Sequence, residues 1–188
     1  MPYLGSMDRY HAVRFYENEK SLSHIVAEFL REGLSAGKPG IVVATPSQRA
    51  SIVRELIAAC VDVVRLQRSG DLVLLDAERM LSTFMTDGKP DATAFRNRMT
   101  DVIKQACRER ANCTVRIYGQ MVDVLWKHGE HDAAIRLEML WNQLANTQVF
   151  SLLCGYAMGH FYKDASVDHI RGQHTHVISA DGTAAAVA

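Results

Sequence analysis

The chain has 188 residues, enough for one ordinary domain with a short extension. Its 48 % apolar and 22 % charged content is that of a soluble globular protein, which excludes a chain disordered throughout and a collagen-like or mucin-like one. The 21 Lys and Arg balance the 21 Asp and Glu, so the basic excess of a phosphate-bound nucleic-acid partner is missing.

The elements alternate along the chain. Residues 1–9 read as an N-terminal extension, with Met7 as a second start. His11–Tyr16 (HAVRFY) reads as a first strand. Leu22, Ile25, Val26, Phe29, Leu30 and Leu34 then recur with helical spacing and form one face. Ser21 is a candidate cap, and Gly33, Gly37 and Gly40 punctuate the exit.

Ile41–Thr45 (IVVAT) is wholly apolar up to its threonine, as a parallel strand covered on both faces requires. Pro46 opens the next helix, which carries Ile52, Val53, Leu56 and Ile57 as far as Cys60. Val61–Leu66 and Asp71–Asp76 read as two strands separated by a turn at Ser69–Gly70. Met80, Leu81, Phe84 and Met85 mark a short helix stopped by Asp87–Asp91.

A longer helix buries Phe95, Met99, Val102, Ile103 and Ala106. Thr114–Gly119 (TVRIYG) is a strand that runs straight into a helix with Met121, Val122, Leu125 and Trp126. Gly129 breaks that helix, and Ala134, Leu137, Trp141 and Leu144 mark another. Val149–Cys154 is the last strongly apolar strand, and a weak helix over Ser166–Arg171 precedes HTHVIS. Residues 179–188 are small and featureless and are expected to be disordered.

Alternation of this kind predicts an α/β fold, a three-layer sandwich with a mainly parallel central sheet. Ligands of open α/β sheets gather at the carboxyl ends of the strands. That rule selects Tyr16, Glu17, Thr45, Tyr118, Gln120, Met121, Cys154 and Tyr156 as candidate ligand-binding residues. Their mixture of aromatic, thioether and a few polar groups suits either a mostly apolar pocket or ordinary packing of the sheet end.

Three chemistries find little support. Lys20 and Ser21 stand at a helix start as in a phosphate loop, but the preceding residues are Glu17, Asn18 and Glu19 with no glycine. Glu19, Lys20 and Ser21 therefore read as a degenerate phosphate-loop position. His174 and His176, His128 and His131, and His160 and His169 lack metal-ligand spacing, and they read as surface or solvated-tail residues with no metal. Cys154 lies before Gly155 without a G-x-S-x-G pattern, and His160 is near it only in sequence, so no catalytic residue is assigned.

The cysteines Cys60, Cys107, Cys113 and Cys154 are scattered and read as free thiols. No apolar run approaches the roughly 20 residues that span a bilayer, and MPYLGSMDRY has no signal-peptide core. The expected location is cytoplasmic, with no membrane contact.

Read together, HAVRFYENEKSL (11–22), REGLSAGKPGIVVATPSQR (31–49), VRIYGQMVDVLWKHG (115–129), RLEMLWNQLA (136–145) and FSLLCGY (150–156) resemble the MEDS domain. This is the sensory domain of methanogens, methylotrophs and the dichloromethane-responsive regulator DcmR. The resemblance spans residues 10–178.

The resemblance implies a RecA-like fold derived from KaiC-type ATPases, with the phosphate loop lost at residues 16–22 and no cofactor. It implies signal reception, with a small hydrocarbon derivative as ligand and a histidine kinase or transcription regulator as output partner. Because no output domain follows HTHVIS, the expected signal passes to a separate protein, or the chain is a module of a longer regulator. The family block reads YGEMV, whereas this chain has Gln120. A nucleotide-binding or slowly ATP-hydrolysing protein is the alternative, and a ligand-free interaction module in a two-component or anti-sigma type pathway is a third reading. A homo-oligomer agrees with the RecA analogy.

Overall fold

A computed structural model describes residues 9–108, 110–160 and 166–187, without the side chains at 160 and 166. Residues 1–8 of the expected extension and the His160 side chain lie outside the described residues. The chain begins with β1 (Tyr10–Tyr16), α1 (Glu19–Ser35), β2 (Gly40–Ala44), α2 (Pro46–Ala58), α3 (Val63–Ser69), β3 (Leu72–Asp76) and α4 (Ala77–Ser82). A small antiparallel hairpin, β4 (Met85–Thr86) and β5 (Lys89–Pro90), leads to α5 (Ala92–Cys107). Next are β6 (Val115–Gly119), α6 (Met121–Lys127), α7 (His131–Leu144) and β7 (Phe150–Ala157). A 3₁₀ turn (Met158–His160), α8 (Ser166–Arg171), β8 (His176–Ile178) and β9 (Ala184–Ala186) close the chain.

The seven-stranded sheet has the order β3-β2-β6-β7-β1-β8-β9. All pairings are parallel except β8 with β9. Parallel pairing demands crossovers, and the helices that supply them cover both faces. Val26, Phe29, Leu30, Ile52, Leu56 and Leu66 from α1–α3 pack on one face against Val42, Tyr118 and Leu153. Met80, Phe95, Met99, Leu125, Leu137 and Trp141 from α4–α7 pack on the other, against Val43, Ile117 and Leu152. The expected three-layer α/β sandwich is therefore the observed one, and β2 and β6 are buried along their whole length.

Several expectations need correction. Val61–Leu66 is not a strand. Asp62 caps a helix there by accepting a hydrogen bond from the Arg65 amide at 3.0 Å, and Val63 and Leu66 bury one short face. A short apolar run does not by itself distinguish strand from helix. Asn18, not Ser21, caps α1. The tail beyond residue 179, expected to be disordered, supplies β9, which pairs antiparallel with β8 at Ile178–Ala184.

The fourth correction concerns the thiols. Cys107 and Cys113 are bonded to each other, while Cys60 and Cys154 are free. Arg108 (φ 47°) and Asn112 (φ 55°) lie on either side of the return, and the two Cα atoms are 5.7 Å apart. The cysteines consequently give no argument for a reducing compartment. Among the described residues, no helix is long and apolar enough to cross a membrane.

Gly33 is not an exit signal either, because it lies inside α1 and faces the buried Arg116. A Cβ there would sit 2.5 Å from Arg116 Cδ. The guanidinium is held by the Phe29 carbonyl and by Glu32 at 3.2 Å. The side chain therefore has little freedom to move aside. Gly33→Ala is expected to lower stability by about 1–3 kcal/mol, measured by urea unfolding. Gly119→Ala, whose Cβ would meet its nearest neighbour at 3.7 Å, is expected to be close to neutral. Equal effects from the two substitutions would contradict the steric account.

Candidate functional site

The loop between β1 and α1 shows what has become of a phosphate site. Only Glu17 and Asn18 separate the two elements, and residues 17–20 are all exposed. The Asn18 side-chain oxygen accepts hydrogen bonds from the amides of Lys20 (2.8 Å) and Ser21 (3.4 Å). Those are amides that an anion at this helix start would need. Glu17 and Glu19 add negative charge where a phosphate would approach. The loop thus has two of its amides capped by its own side chain and acidic residues on either side.

The eight strand-end residues do not line one cavity. Tyr16 and Tyr118 belong to the core on the α1–α3 face, whereas Met121, Cys154 and Tyr156 belong to the opposite core. Glu17 is exposed and Thr45 half-buried. Gln120 is buried, and its Oε1 accepts hydrogen bonds from the Thr45 amide (2.9 Å) and hydroxyl (3.1 Å), joining the ends of β6 and β2. Tyr118 is buried, its hydroxyl has no hydrogen-bond partner among the described residues, and burial raises its pKa. Tyr16, Tyr118, Gln120, Met121, Cys154 and Tyr156 are buried in the packing of the sheet end.

Two buried carboxylates organise the region, and neither was among the candidates. Asp123 on α6 accepts hydrogen bonds from the Tyr16 hydroxyl (2.7 Å) and the Ala157 amide (2.9 Å), and it pairs with Lys127 (2.8 Å). Burial and the Asp123 charge together raise the Tyr16 phenol far above its ordinary range.

Glu138 on α7 is fully buried and accepts from the Tyr156 hydroxyl at 2.8 Å. Its Oε2 is 3.1 Å from His11 Nε2 and 3.7 Å from Cys154 Sγ, and its Oε1 is 3.3 Å from His174 Nε2. His11 Nε2 is also 3.4 Å from Cys154 Sγ. Sequence reasoning missed Glu138 and Asp123 because a charged residue in a helical stripe reads as solvated. One local signal was present: Asp123 interrupts the apolar run MVDVLW.

The cluster forms because each element points one donor inward. His11 shares the inward parity of Val13 on β1, and Cys154 is the β7 partner of Val13 in the parallel register. Glu138 faces the sheet from α7. His174 is delivered by the segment before β8, where the Thr175 amide bonds the His11 carbonyl at 2.7 Å. His174 is thus buried, not a solvated-tail residue, and it parts from the half-exposed His176.

The hydrogen bonds also place a proton on each Nδ1. The Asn142 amide donates to the Gln173 carbonyl (2.9 Å), so its oxygen faces His11 Nδ1 at 2.9 Å and that nitrogen carries the proton. His174 Nδ1 donates to the Ile170 carbonyl (2.7 Å). Both Nε2 atoms therefore face the cluster. His174 Nε2 has no partner of hydrogen-bond geometry, although it lies within ion-pair distance of Glu138.

Electrostatics follows burial. Burial, reinforced by His174, pushes the His11 imidazole below its ordinary range, with Glu138 acting in the opposite sense. Burial and the Glu138 charge raise the Cys154 thiol, the reverse of what a nucleophile needs.

A separate cavity of about 260 Å³ lies between α1 and the β8–β9 hairpin. Ile25, Phe29, Leu153 and Ile178 give it an apolar floor. Its carboxylates are already engaged: Glu28 by Arg31 (2.6 Å), Glu32 by Arg116 and Asp181 by Thr183 (2.7 Å).

Residues 10–175 match the family model of the MEDS domain, the MEthanogen/methylotroph, DcmR Sensory domain. No curated protein matches the sequence. Among solved structures the chain is similar to a KaiC-like protein from the hyperthermophilic archaeon Pyrococcus horikoshii OT3. The TM-score is 0.59 at 15 % identity, over 90 % of this chain and 71 % of that one. At that identity the likeness shows the fold alone, a RecA-like α/β arrangement.

Proposed function

Because the chain belongs to the MEDS family of sensory domains, we propose that it is a non-enzymatic receiver whose ligand is a small, mostly apolar molecule. The observation that carries this reading is the cavity between α1 and the β8–β9 hairpin. Its polar rim is satisfied internally, so what it offers a ligand is apolar surface. One wall, Ile178, Asp181 and Gly182, belongs to the hairpin at the sheet edge. A ligand that prefers the docked hairpin shifts the population toward it, and the hairpin is then the surface that an output protein reads. A histidine kinase or transcription regulator fits that role, and the Asn18-capped loop argues against the nucleotide-binding alternative.

Ligand-observed magnetic resonance with dichloromethane and short alcohols tests the reading, together with hydrogen exchange of residues 176–186. Binding is expected, with slower exchange in the hairpin, and Ile25→Trp, which fills the cavity from its half-buried rim, is expected to abolish both. No binding by this panel, binding indifferent to Ile25→Trp, or binding without hairpin protection would overturn it. Native mass spectrometry with magnesium-ATP is expected to show no nucleotide adduct.

A further inference from the structure

We propose that His11, Glu138, Cys154 and His174 form a binding site for one four-coordinate divalent transition-metal ion, of the zinc class. The site is independent of the cavity described above and of any ligand bound there.

Geometry carries the argument first. The four ligand atoms all lie within 4.8 Å of one another. Bonds of about 2.0–2.3 Å to nitrogen, oxygen and sulfur set tetrahedral edges of roughly 3.3–3.7 Å between ligand atoms. With Glu138 Oε2 as the carboxylate donor, three edges measure 3.1, 3.4 and 3.7 Å, and His174 Nε2 lies 3.3 Å from the other oxygen, Oε1. The donors come from β1, α7, β7 and the segment after α8, so they surround a point and do not line a surface.

The outer contacts argue independently. Each histidine gives its Nδ1 proton to an acceptor, the Asn142 side-chain oxygen or the Ile170 carbonyl, and turns its Nε2 to the centre. Metal-bound histidines are oriented in this way. The two Nε2 atoms and the thiol therefore converge on a carboxylate in a dry interior, an arrangement that calls for positive charge among them, as a proton or as a metal ion. His174 Nε2 in particular is buried and lacks a hydrogen-bond partner.

Charge closes the account. With Cys154 as thiolate and Glu138 as carboxylate the set carries two negative charges, which one divalent ion cancels. The thiol proton leaves to solvent as the sulfur–metal bond forms. Mixed nitrogen, sulfur and oxygen donors in tetrahedral array favour zinc, and cobalt is its spectroscopic substitute. A cavity of about 180 Å³ lined by His11, Trp141, Asn142, Phe150 and Thr175 reaches the cluster edge and offers an entry path.

The test is titration of the chelator-treated full chain with cobalt(II), followed by displacement with zinc(II). One equivalent is expected, with the intense ligand-field bands of four-coordinate cobalt and a thiolate-to-cobalt charge-transfer band, all removed by zinc. Cys154→Ser is expected to lose the charge-transfer band, and His174→Ala to lose the four-coordinate spectrum. Asn142→Ala, which removes the acceptor of the His11 Nδ1 proton along with the donor to the Gln173 carbonyl, is expected to weaken binding ~10–100-fold with the spectrum kept. Failure of the unmutated protein to take up cobalt overturns the proposal, whatever the variants do. So does a six-coordinate spectrum without thiolate character, and so does tight binding that survives both Cys154→Ser and His174→Ala.

Discussion

Replacing Trp141 with alanine is expected to cost about 3–5 kcal/mol of folding stability, the range for deleting a large buried aromatic. Trp141 is 1 % exposed and stands at the centre of the α4–α7 core. Its ring meets Phe95 edge-on at 5.0 Å and Phe150 at 5.8 Å, so two aromatic contacts are lost with the hydrophobic area. Among the described residues the indole N–H has no hydrogen-bond partner, so nothing polar there offsets the loss. Trp141→Phe should therefore retain most of the stability that Trp141→Ala removes, because it also deletes an unsatisfied donor. Denaturant unfolding with an unchanged slope would read both values. A Trp141→Phe variant as unstable as Trp141→Ala would show that the indole nitrogen matters.

Asp123→Ala is expected to cost about 2–4 kcal/mol. The carboxylate ties three elements: β1 through Tyr16, β7 through the Ala157 amide and its own helix through Lys127. Its removal orphans the Ala157 N–H and leaves Lys127 near a tyrosine hydroxyl at 3.0 Å with no counter-charge. Lys127 is partly exposed, which limits the electrostatic part of the loss. Asp123→Asn keeps an oxygen for the Ala157 amide and should fall between the two. Thermal and urea unfolding check the order. An Asp123→Ala variant within ~0.5 kcal/mol of the parent would mean that the three bonds are replaceable by water.

The fold was legible where burial on both faces leaves no polar alternation. IVVA, VRIYG and FSLLC read as strands because parallel strands under helices must be apolar throughout. Val61–Leu66 misled because the same composition also suits one buried turn of helix, and only the Asp62 cap distinguishes the two. The sheet-end rule selected Cys154 and Tyr156 but could not show the carboxylate they meet. Both face Glu138, not solvent. His174 was read as tail because its burial depends on a parallel pairing between residues 12 and 176, which no local pattern encodes. The same holds for His11, which meets Glu138 across more than a hundred residues of chain.

The position of β1 in the sheet has a consequence for biosynthesis. Its two neighbours are β7 and β8, so the first strand made pairs only with strands from the last quarter of the chain, Tyr10 with Ser151 and Ala12 with His176. At ribosomal rates of ~5–20 residues per second, β1 waits roughly 10–30 s for either partner. During that interval its apolar residues and both hydrogen-bonding edges are open to whatever meets the nascent chain. β2, β3 and β6, by contrast, complete a three-stranded parallel unit as soon as residue 119 has emerged. The order of synthesis therefore sets a partly built sheet waiting beside a solitary strand, and the carboxyl-terminal third inserts the pieces that join them.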